Sequence, residues 1–338
     1  PRALVARDGP GRREEPQPPV FSEDGSSVVL TIVIDEGPLY RVSSVHVRGV
    51  GKAFTKQQIL DKVKLKPGDP YTYEAVLRDF RAIQKFYGEN GFPRHISLAD
   101  SFRFQFPPQE TFREDENEAL VDVVYEITEN SQKRIRDIRI SGNRVTQDRV
   151  IRRELTFYPG ELVNQEAIEQ SMRSLEGLQY FDNAAHPLSY RYIDTPDPAW
   201  KDLEIEVAEG RTGSVSLAGG ISSNDGLFLG FTFTKRNFDL SNLPSSLGNA
   251  LPEIADSTAF TGAGQELVLS LTPGIQLSQY DLRFTEPDLF GDQQRTWYHS
   301  TDFFYRVREF STNREDRLGG AVTLGKSLDK NWSIDGTF

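Results

Sequence analysis

Apolar and polar residues in the first two thirds of the chain follow a pattern that occurs twice. Residues 42–47 alternate and end at Gly49, and residues 135–140 alternate and end at Gly142. Alternation of this kind predicts a half-buried strand. Each strand is followed by a short helical pattern, a Pro-Gly pair, a longer helical pattern and two more alternating stretches. The sequence therefore predicts a repeated β-α-α-β-β unit.

Local signals place the ends of the predicted helices. Thr55 with Gln58 predicts a capping box at the short helix of the first copy. Asn164 is the predicted N-cap of the longer helix in the second copy. One helical face and one sheet face of each unit are apolar, so each unit is predicted to be a two-layer α+β domain.

Two strands are predicted to close each unit. His95–Phe104 is expected to pair with Leu120–Thr128 in the first copy, and His186–Ile193 with Leu203–Ala208 in the second. The acidic stretch Glu110–Glu118 lacks the ligand spacing of a dedicated calcium loop, so it is interpreted as a solvated hairpin loop.

The closing strand also occurs a third time, at residues 30–36, with no unit in front of it. Proline and mixed charge before it indicate a disordered arm. The predicted organisation is a Pro-rich arm at 1–19, the tail of an earlier, truncated copy at 20–38, repeated domains at 39–130 and 131–210, and a different architecture at 211–338.

Glycine becomes denser and charge sparser after about residue 211. Seven alternating stretches follow, each with one apolar face, and helical periodicity is absent. Residues 224–226 read Asn-Asp-Gly, a strong hairpin signal between the first two strands. Strands of this kind are typical of a membrane barrel, which alternates apolar-out and polar-in. A soluble β-sandwich would also alternate, and it stays an open alternative here.

Composition excludes several kinds of chemistry. The net charge is −11 and the chain has no cysteine, so nucleic acid would be repelled and neither disulfides nor thiol catalysis is available. The four histidines are scattered and fit no metal-ligand spacing. Phosphate-binding and nucleophile motifs are missing as well. We expect no enzyme activity, no cofactor and no metal site.

Three stretches together resemble the BamA family of bacterial outer-membrane β-barrel assembly factors, whose POTRA domains precede a membrane barrel. Residues 134–143 resemble the opening strand of a POTRA domain. Residues 209–213 resemble the junction that leads into the first barrel strand. Residues 284–291 (Phe-Thr-Glu-Pro-Asp-Leu-Phe-Gly) resemble the turn signature after the fourth strand. The resemblance covers residues 20–338.

The resemblance implies α+β POTRA repeats in the periplasm, followed by antiparallel strands of an incomplete transmembrane β-barrel in the outer membrane. It implies an insertase without catalytic residues, with unfolded outer-membrane protein clients, assembly lipoproteins and outer-membrane lipid as partners. The first barrel strand would open from the last and template a client strand. The residues so assigned to this lateral gate are Gly213, Ser214, Val215, Leu217, Gly219, Gly220 and Ile221, and those assigned to the turn motif are Phe284, Glu286, Pro287 and Phe290.

Two departures from the family qualify this prediction. About seven barrel strands are found, fewer than the family's barrel contains, so the sequence is expected to be part of a longer barrel. Residues 239–259 form an insertion where such barrels keep short turns, and we expect it to contact the POTRA region or a partner. The alternatives are a two-partner secretion or TamA-like transporter, and a soluble periplasmic scaffold. The glycines of the first strand could also merely permit curvature.

Overall fold

The structure is a computed structural model of the 338-residue chain. Two compact units are present, one formed by Pro1–Phe86 with Arg103–Glu129 and the other by Tyr87–Phe102 with Asn130–Phe338. The predicted arm and most of the predicted tail lie outside the described residues, as do most of His95–Phe104 and two residues of the Asn-Asp-Gly turn. The described residues are 20–21, 24, 28–29, 39–93, 103–104, 109–115, 118–129, 131–223, 226–291, 297–328 and 332–338.

The first unit contains a small antiparallel pair, β1 with β2, and a four-stranded sheet flanked by two helices. In the larger sheet β3 runs parallel to β6, while β4 and β5 pair antiparallel with β6. The β4–β6 pairing confirms the predicted partner of His95–Phe104 where that stretch is described. The elements are β1 (Val20–Phe21), β2 (Val28–Val29), β3 (Arg41–Arg48), α1 (Lys56–Leu60), α2 (Tyr73–Glu89, which continues into the second unit), β4 (Arg103–Phe104), β5 (Gln109–Asp115) and β6 (Glu118–Thr128).

The predicted capping box begins the short helix α1 of the first unit. The Thr55 side chain accepts a hydrogen bond from the Gln58 backbone N–H, and the Gln58 side chain accepts one from the Thr55 N–H at 2.8 Å. The fully buried Asp79 on α2 accepts the backbone N–H groups of Lys64 and Leu65 at 3.1 and 2.7 Å. Its carboxylate thereby satisfies the turn that ends α1.

The interpretation of Glu110–Glu118 as a solvated loop was wrong. Residues Gln109–Asp115 form β5, which pairs with β6 over its full length. Burial of the Glu110 carboxyl raises its pKa, and the group hydrogen-bonds Tyr71. The charged residues of an outer strand face solvent and obscure the strand pattern in the sequence.

In the second unit, residues 131–210 repeat the same architecture. The strand order is β7-β9-β8, with β7 parallel to β9 and β8 antiparallel to β9. Asn164 caps α4 by accepting the Ala167 N–H at 3.0 Å, as predicted. The elements are β7 (Arg134–Ser141), α3 (Asp148–Arg152), α4 (Gln165–Gly177), β8 (Ser189–Asp194) and β9 (Trp200–Glu206).

The glycines of the predicted repeat perform the same task in each copy. Gly49 has φ +73° and a Cβ there would lie 2.0 Å from the Ile127 carbonyl oxygen. Gly142 has φ +89° and a Cβ there would lie 1.8 Å from the Val207 carbonyl oxygen. Only glycine permits both this backbone conformation and this close approach. The two copies therefore share this glycine–carbonyl contact as well as the sequence pattern.

The remaining strands form one antiparallel sheet in strict sequence order, β10 to β16. All seven predicted strands are found in it, which confirms the predicted order. A short helix, α5, interrupts the segment between β11 and β12, where no helix was expected. The elements are β10 (Gly213–Ser222), β11 (Gly226–Phe238), α5 (Ala250–Ala255), β12 (Gln265–Thr272), β13 (Leu277–Glu286), β14 (Trp297–Glu309), β15 (Arg314–Ser327) and β16 (Ser333–Thr337).

Cross-strand register aligns the apolar positions of neighbouring strands on one face, which we call the outer face. Leu217 opposes Phe231, Phe231 opposes Leu271, and the alignment continues through Tyr280 to Tyr305. Several of these side chains are exposed, Leu217 by 74%. A sandwich would cover this face with a second sheet, and the described residues place none there. The opposite, inner face is mainly polar or small.

Candidate functional site

The free edge of β10 is the candidate functional site. In the described part of the chain, β10 pairs with β11 on one side and with no strand on the other. The structure places every residue assigned to the lateral gate on this strand, and the strand is exposed along most of its length. Pairing with a client strand at this edge stays a prediction.

Backbone hydrogen bonding divides the predicted gate residues into two groups. The Arg236 N–H donates to the Thr212 carbonyl at 2.8 Å, so residue 212 and the alternate residues after it bond towards β11. The intervening residues direct both N–H and C=O to the open edge: Gly213, Val215, Leu217, Gly219 and Ile221. Ser214 and Gly220 belong to the group that pairs with β11, so their backbone groups are already occupied.

The glycines of β10 also differ from one another. A Cβ on Gly219 would meet its nearest atoms at 3.6 and 3.7 Å, which is ordinary contact. A Cβ on Gly220 would lie 3.0 Å from the ring of Phe228, which lies opposite it on β11. Gly220 therefore provides space for the Phe228 ring. Gly219 has no such neighbour, so its lack of a side chain reduces packing on β10.

The turn motif closes the connection between β13 and β14. Glu286 accepts the Gln265 side-chain N–H at 2.8 Å and the Asp288 backbone N–H at 3.1 Å. Phe290 packs edge-to-face on Trp297 with 6.1 Å between ring centroids. Phe284 lies on the outer face, and Pro287 follows β13 directly. These contacts give the motif a structural function at the end of the sheet where β10 begins.

A polar junction joins the second repeated domain to the sheet, and the sequence did not reveal which residues form it. The Asn237 side-chain N–H donates to Thr146 Oγ1 at 2.9 Å, and the Gln147 side-chain N–H donates to Asp239 Oδ2 at 2.9 Å. The Gly264 carbonyl accepts Arg153 at 3.1 Å. The expected contact of the insertion with the repeated domain is thus present, and it is made at Asp239 and at the residues that flank the insertion.

A second carboxylate strengthens the same junction from the domain side. Glu209 Oε1 accepts the backbone N–H groups of Val145 and Thr146 at 2.8 and 2.6 Å. In the first unit, Glu129 accepts the Gly51 and Ala53 N–H groups in the same way. A cleft of about 760 Å³ lies beside the junction, between residues 180–182 and 255–257. Glu209 therefore fixes the loop that contacts the sheet, and Glu129 fixes the equivalent loop of the first unit.

Among the described residues, no cluster of His, Cys, Asp or Glu could hold a metal ion. Across the same residues, no helix is both long and apolar enough to cross a membrane.

Comparison with known proteins agrees with this architecture. Residues 40–130 and 133–210 match the POTRA family, described as surface antigen variable number repeat, and residues 260–338 match the Omp85 superfamily domain. The chain therefore belongs to the POTRA family, and its residues 260–338 match the Omp85 superfamily domain.

Within the superfamily the chain is BamA-like. It is 29% identical over 218 residues to outer membrane protein assembly factor BamA of Neorickettsia risticii, covering 64% of this chain and 27% of that protein. It is 28% identical over 212 residues to BamA of Neisseria meningitidis serogroup B, covering 62% and 24%. The chain thus spans about a quarter of the length of these relatives.

The fold has a close counterpart in a solved structure. The crystal structure of BamA from Haemophilus ducreyi lacking POTRA domains 1–3 superposes with a TM-score of 0.65 at 19% identity, covering 87% of this chain and 49% of that chain. The predicted fold class is confirmed: POTRA domains are followed by an antiparallel sheet that corresponds to part of a barrel wall and is not closed.

Proposed function

We propose that this chain is part of an outer-membrane protein assembly factor that inserts β-barrel clients, without catalysis or a cofactor. The relatives bear that name, and the sheet has the outer apolar face that a lipid-facing wall needs. The POTRA domains then lie in the periplasm and receive unfolded clients and assembly lipoproteins.

The observation that carries the proposal is the edge of β10 that faces away from β11, its one partner among the described strands. Backbone groups of Gly213, Val215, Leu217, Gly219 and Ile221 face this edge in the described chain. Unpaired backbone groups are costly in hydrocarbon, so a client strand that pairs here is stabilised as it enters the membrane.

Proline substitution at adjacent positions tests the edge. Leu217→Pro removes an N–H that faces the open edge, whereas Ala218→Pro removes one that bonds to β11. We expect Leu217→Pro to slow insertion of a client barrel into vesicles by the intact protein about tenfold, the effect of one lost hydrogen bond worth ~1.4 kcal/mol. Leu217→Ala is the matched control, because it shortens the same side chain and keeps the N–H.

Two further measurements make the result decisive. Amide hydrogen exchange across β11 should be unchanged in Leu217→Pro and faster in Ala218→Pro. Equal insertion rates for Leu217→Pro and Leu217→Ala would refute templating at this edge. A transporter of the two-partner secretion or TamA type would instead be indicated if the intact protein moved an unfolded passenger across the membrane and inserted no client.

A further inference from the structure

The segment Asp239–Thr261, which joins β11 to β12 and contains α5, exposes a row of leucines. We call it the β11–β12 segment. Leu247 is 99% exposed and Leu251 80% exposed, and two further leucines, Leu240 and Leu243, are also largely exposed. Scattered surface leucines need no explanation, but four within so short a segment form an apolar patch.

Two polar side chains of this segment, Glu253 and Asn242, form hydrogen bonds within it. Glu253 accepts the Ser245 backbone N–H at 2.8 Å and also the Ser245 hydroxyl, and these bonds lower the pKa of Glu253. The Asn242 side chain donates to the Thr258 and Thr261 carbonyls at 2.9 and 3.0 Å. The segment is therefore a folded loop whose leucines point away from its hydrogen-bonded interior.

Aromatic rings connect this loop to the outer face of the sheet. Phe260 stacks on Phe238 with 5.6 Å between centroids and 9° between planes. Phe238 in turn meets Phe284 edge-to-face at 6.3 Å. Phe284 is one of the outer-face residues, opposite Leu267. The base of the β11–β12 segment is thus continuous with the apolar surface that the proposed function assigns to lipid.

Aromatic residues on the outer face lie near both ends of the sheet, and one of these ends is where the β11–β12 segment begins. Trp297 lies on the outer face at the junction end, with Lys326 Nζ 5.3 Å from its ring centroid. Tyr280 and Tyr305 stack towards the opposite end. Trp297 and Tyr305 are separated by about 27 Å along β14, or about 20 Å after the usual strand tilt, close to the ~25 Å apolar band of such barrels. Aromatic residues collect at membrane interfaces.

We propose that the β11–β12 segment is a membrane-surface anchor, with Leu243, Leu247 and Leu251 inserted among the lipids of the leaflet next to the junction. This inference rests on the proposed function, because it requires the sheet to span the membrane. From Asp239 to Thr261 the chain has no lysine or arginine and three acidic residues, Asp239, Glu253 and Asp256, so the attraction is apolar and anionic lipid would weaken it. Since Asp239 bonds Gln147, the anchor would hold the adjacent POTRA domain at the membrane surface.

A fluorescent label at single cysteines tests the anchor in the intact protein, reconstituted in phosphatidylcholine vesicles. Residues 1–338 contain no cysteine, and any cysteine elsewhere in the intact protein is replaced first, so that Leu247→Cys introduces the only thiol. We expect a blue-shifted emission, strong quenching by nitroxide-bearing lipid and loss of quenching by iodide. The control is Tyr158→Cys on the POTRA domain, which should be quenched by iodide alone.

A third label separates failure of the anchor from failure of the proposed function. Leu229→Cys on the outer face should be quenched by lipid whenever the sheet spans the membrane. Lipid quenching at Leu229 with iodide quenching at Leu247 would overturn the anchor and leave the proposed function intact. Protection of Leu247 from both quenchers would also overturn it, in favour of a protein contact. Loss of lipid quenching at Leu229 would refute the membrane sheet itself.

Charge substitution shows whether the leucines cause the insertion. With the label kept at Leu247, Leu251→Asp should shift quenching from lipid towards iodide, because it places a carboxylate at the lipid surface. Ser246→Asp adds the same charge at an exposed polar position and should leave the label in lipid. Equal behaviour of the two variants would overturn the assignment of the leucines as the inserted groups.

Discussion

Substitution of Gly142 by alanine tests the close approach that ends the opening strand of the second POTRA domain. The matched control is Gly160→Ala. Both glycines have positive φ, +89° and +95°, but a Cβ at Gly160 would meet no atom within 4 Å. A Cβ at Gly142 would lie 1.8 Å from the Val207 carbonyl oxygen. The pair therefore separates backbone strain from steric overlap.

The expected magnitudes follow from this difference. Strain in the left-handed region costs about 1–2 kcal/mol at either position. At Gly142 the overlap would push β7 and β9 apart and break the 2.9 Å bond from the Val207 N–H to the Ser141 carbonyl. That adds about 1–3 kcal/mol for overpacking and ~1 kcal/mol for the lost bond. We expect a total loss of about 3–6 kcal/mol for Gly142→Ala.

Amide hydrogen exchange of β7 in the intact protein measures these losses locally. Protection should fall strongly in Gly142→Ala and slightly in Gly160→Ala. The same comparison can be made in the first POTRA domain, where Gly49 has the close contact and Gly68 has open space. Similar losses in Gly142→Ala and Gly160→Ala would show that the carbonyl contact does not constrain the fold.

Two further predictions concern a buried carboxylate and a covered glycine. The Arg136 hydrogen bond lowers the pKa of Asp202, so its stabilisation is present above about pH 4 and is lost as pH falls through the lowered value. Asp202→Asn should therefore cost about 2 kcal/mol at neutral pH in chemical unfolding, and the difference should shrink in acid. Gly325→Ala would place a Cβ 2.1 Å from the Tyr298 ring and should cost about 1–3 kcal/mol of stability in the sheet. Gly336→Ala, where the nearest atom would lie at 3.8 Å, should be tolerated. Amide hydrogen exchange of the sheet measures both effects.

Local patterns predicted most of this fold because the decisive interactions are short in sequence or repeat along it. The Thr55 box and the Asn164 cap each involve residues three apart, and alternation revealed all seven strands of the sheet. The strand Gln109–Asp115 was missed because its charged side chains belong to an outer strand. The sequence does not show that this stretch pairs with β6, and that pairing is what makes it a strand.

The glycines of the sheet show a different limit. Glycine density after residue 211 indicated a change of architecture but not the role of each glycine, and at Gly219 a Cβ would make only ordinary contacts. At Gly319 and Gly325, however, a Cβ would lie within 2.5 Å of the aromatic rings opposite, Phe304 and Tyr298. Each of these glycines therefore leaves room for an aromatic ring on the inner face. Because the pairing depends on register between strands, composition alone could not distinguish the two uses.

The junction connects these observations to the candidate site. Side-chain pairing fixes the register of a strand to one residue, and a slip of one residue exchanges the groups that face each side. Asn237, at the end of β11, bonds Thr146 of the POTRA domain, and the neighbouring Arg236 N–H bonds the Thr212 carbonyl where β10 begins. The POTRA contact therefore lies beside the bond that determines which backbone groups of β10 reach the open edge. A change in that contact would act on the edge through register, without any residue of the junction touching a client.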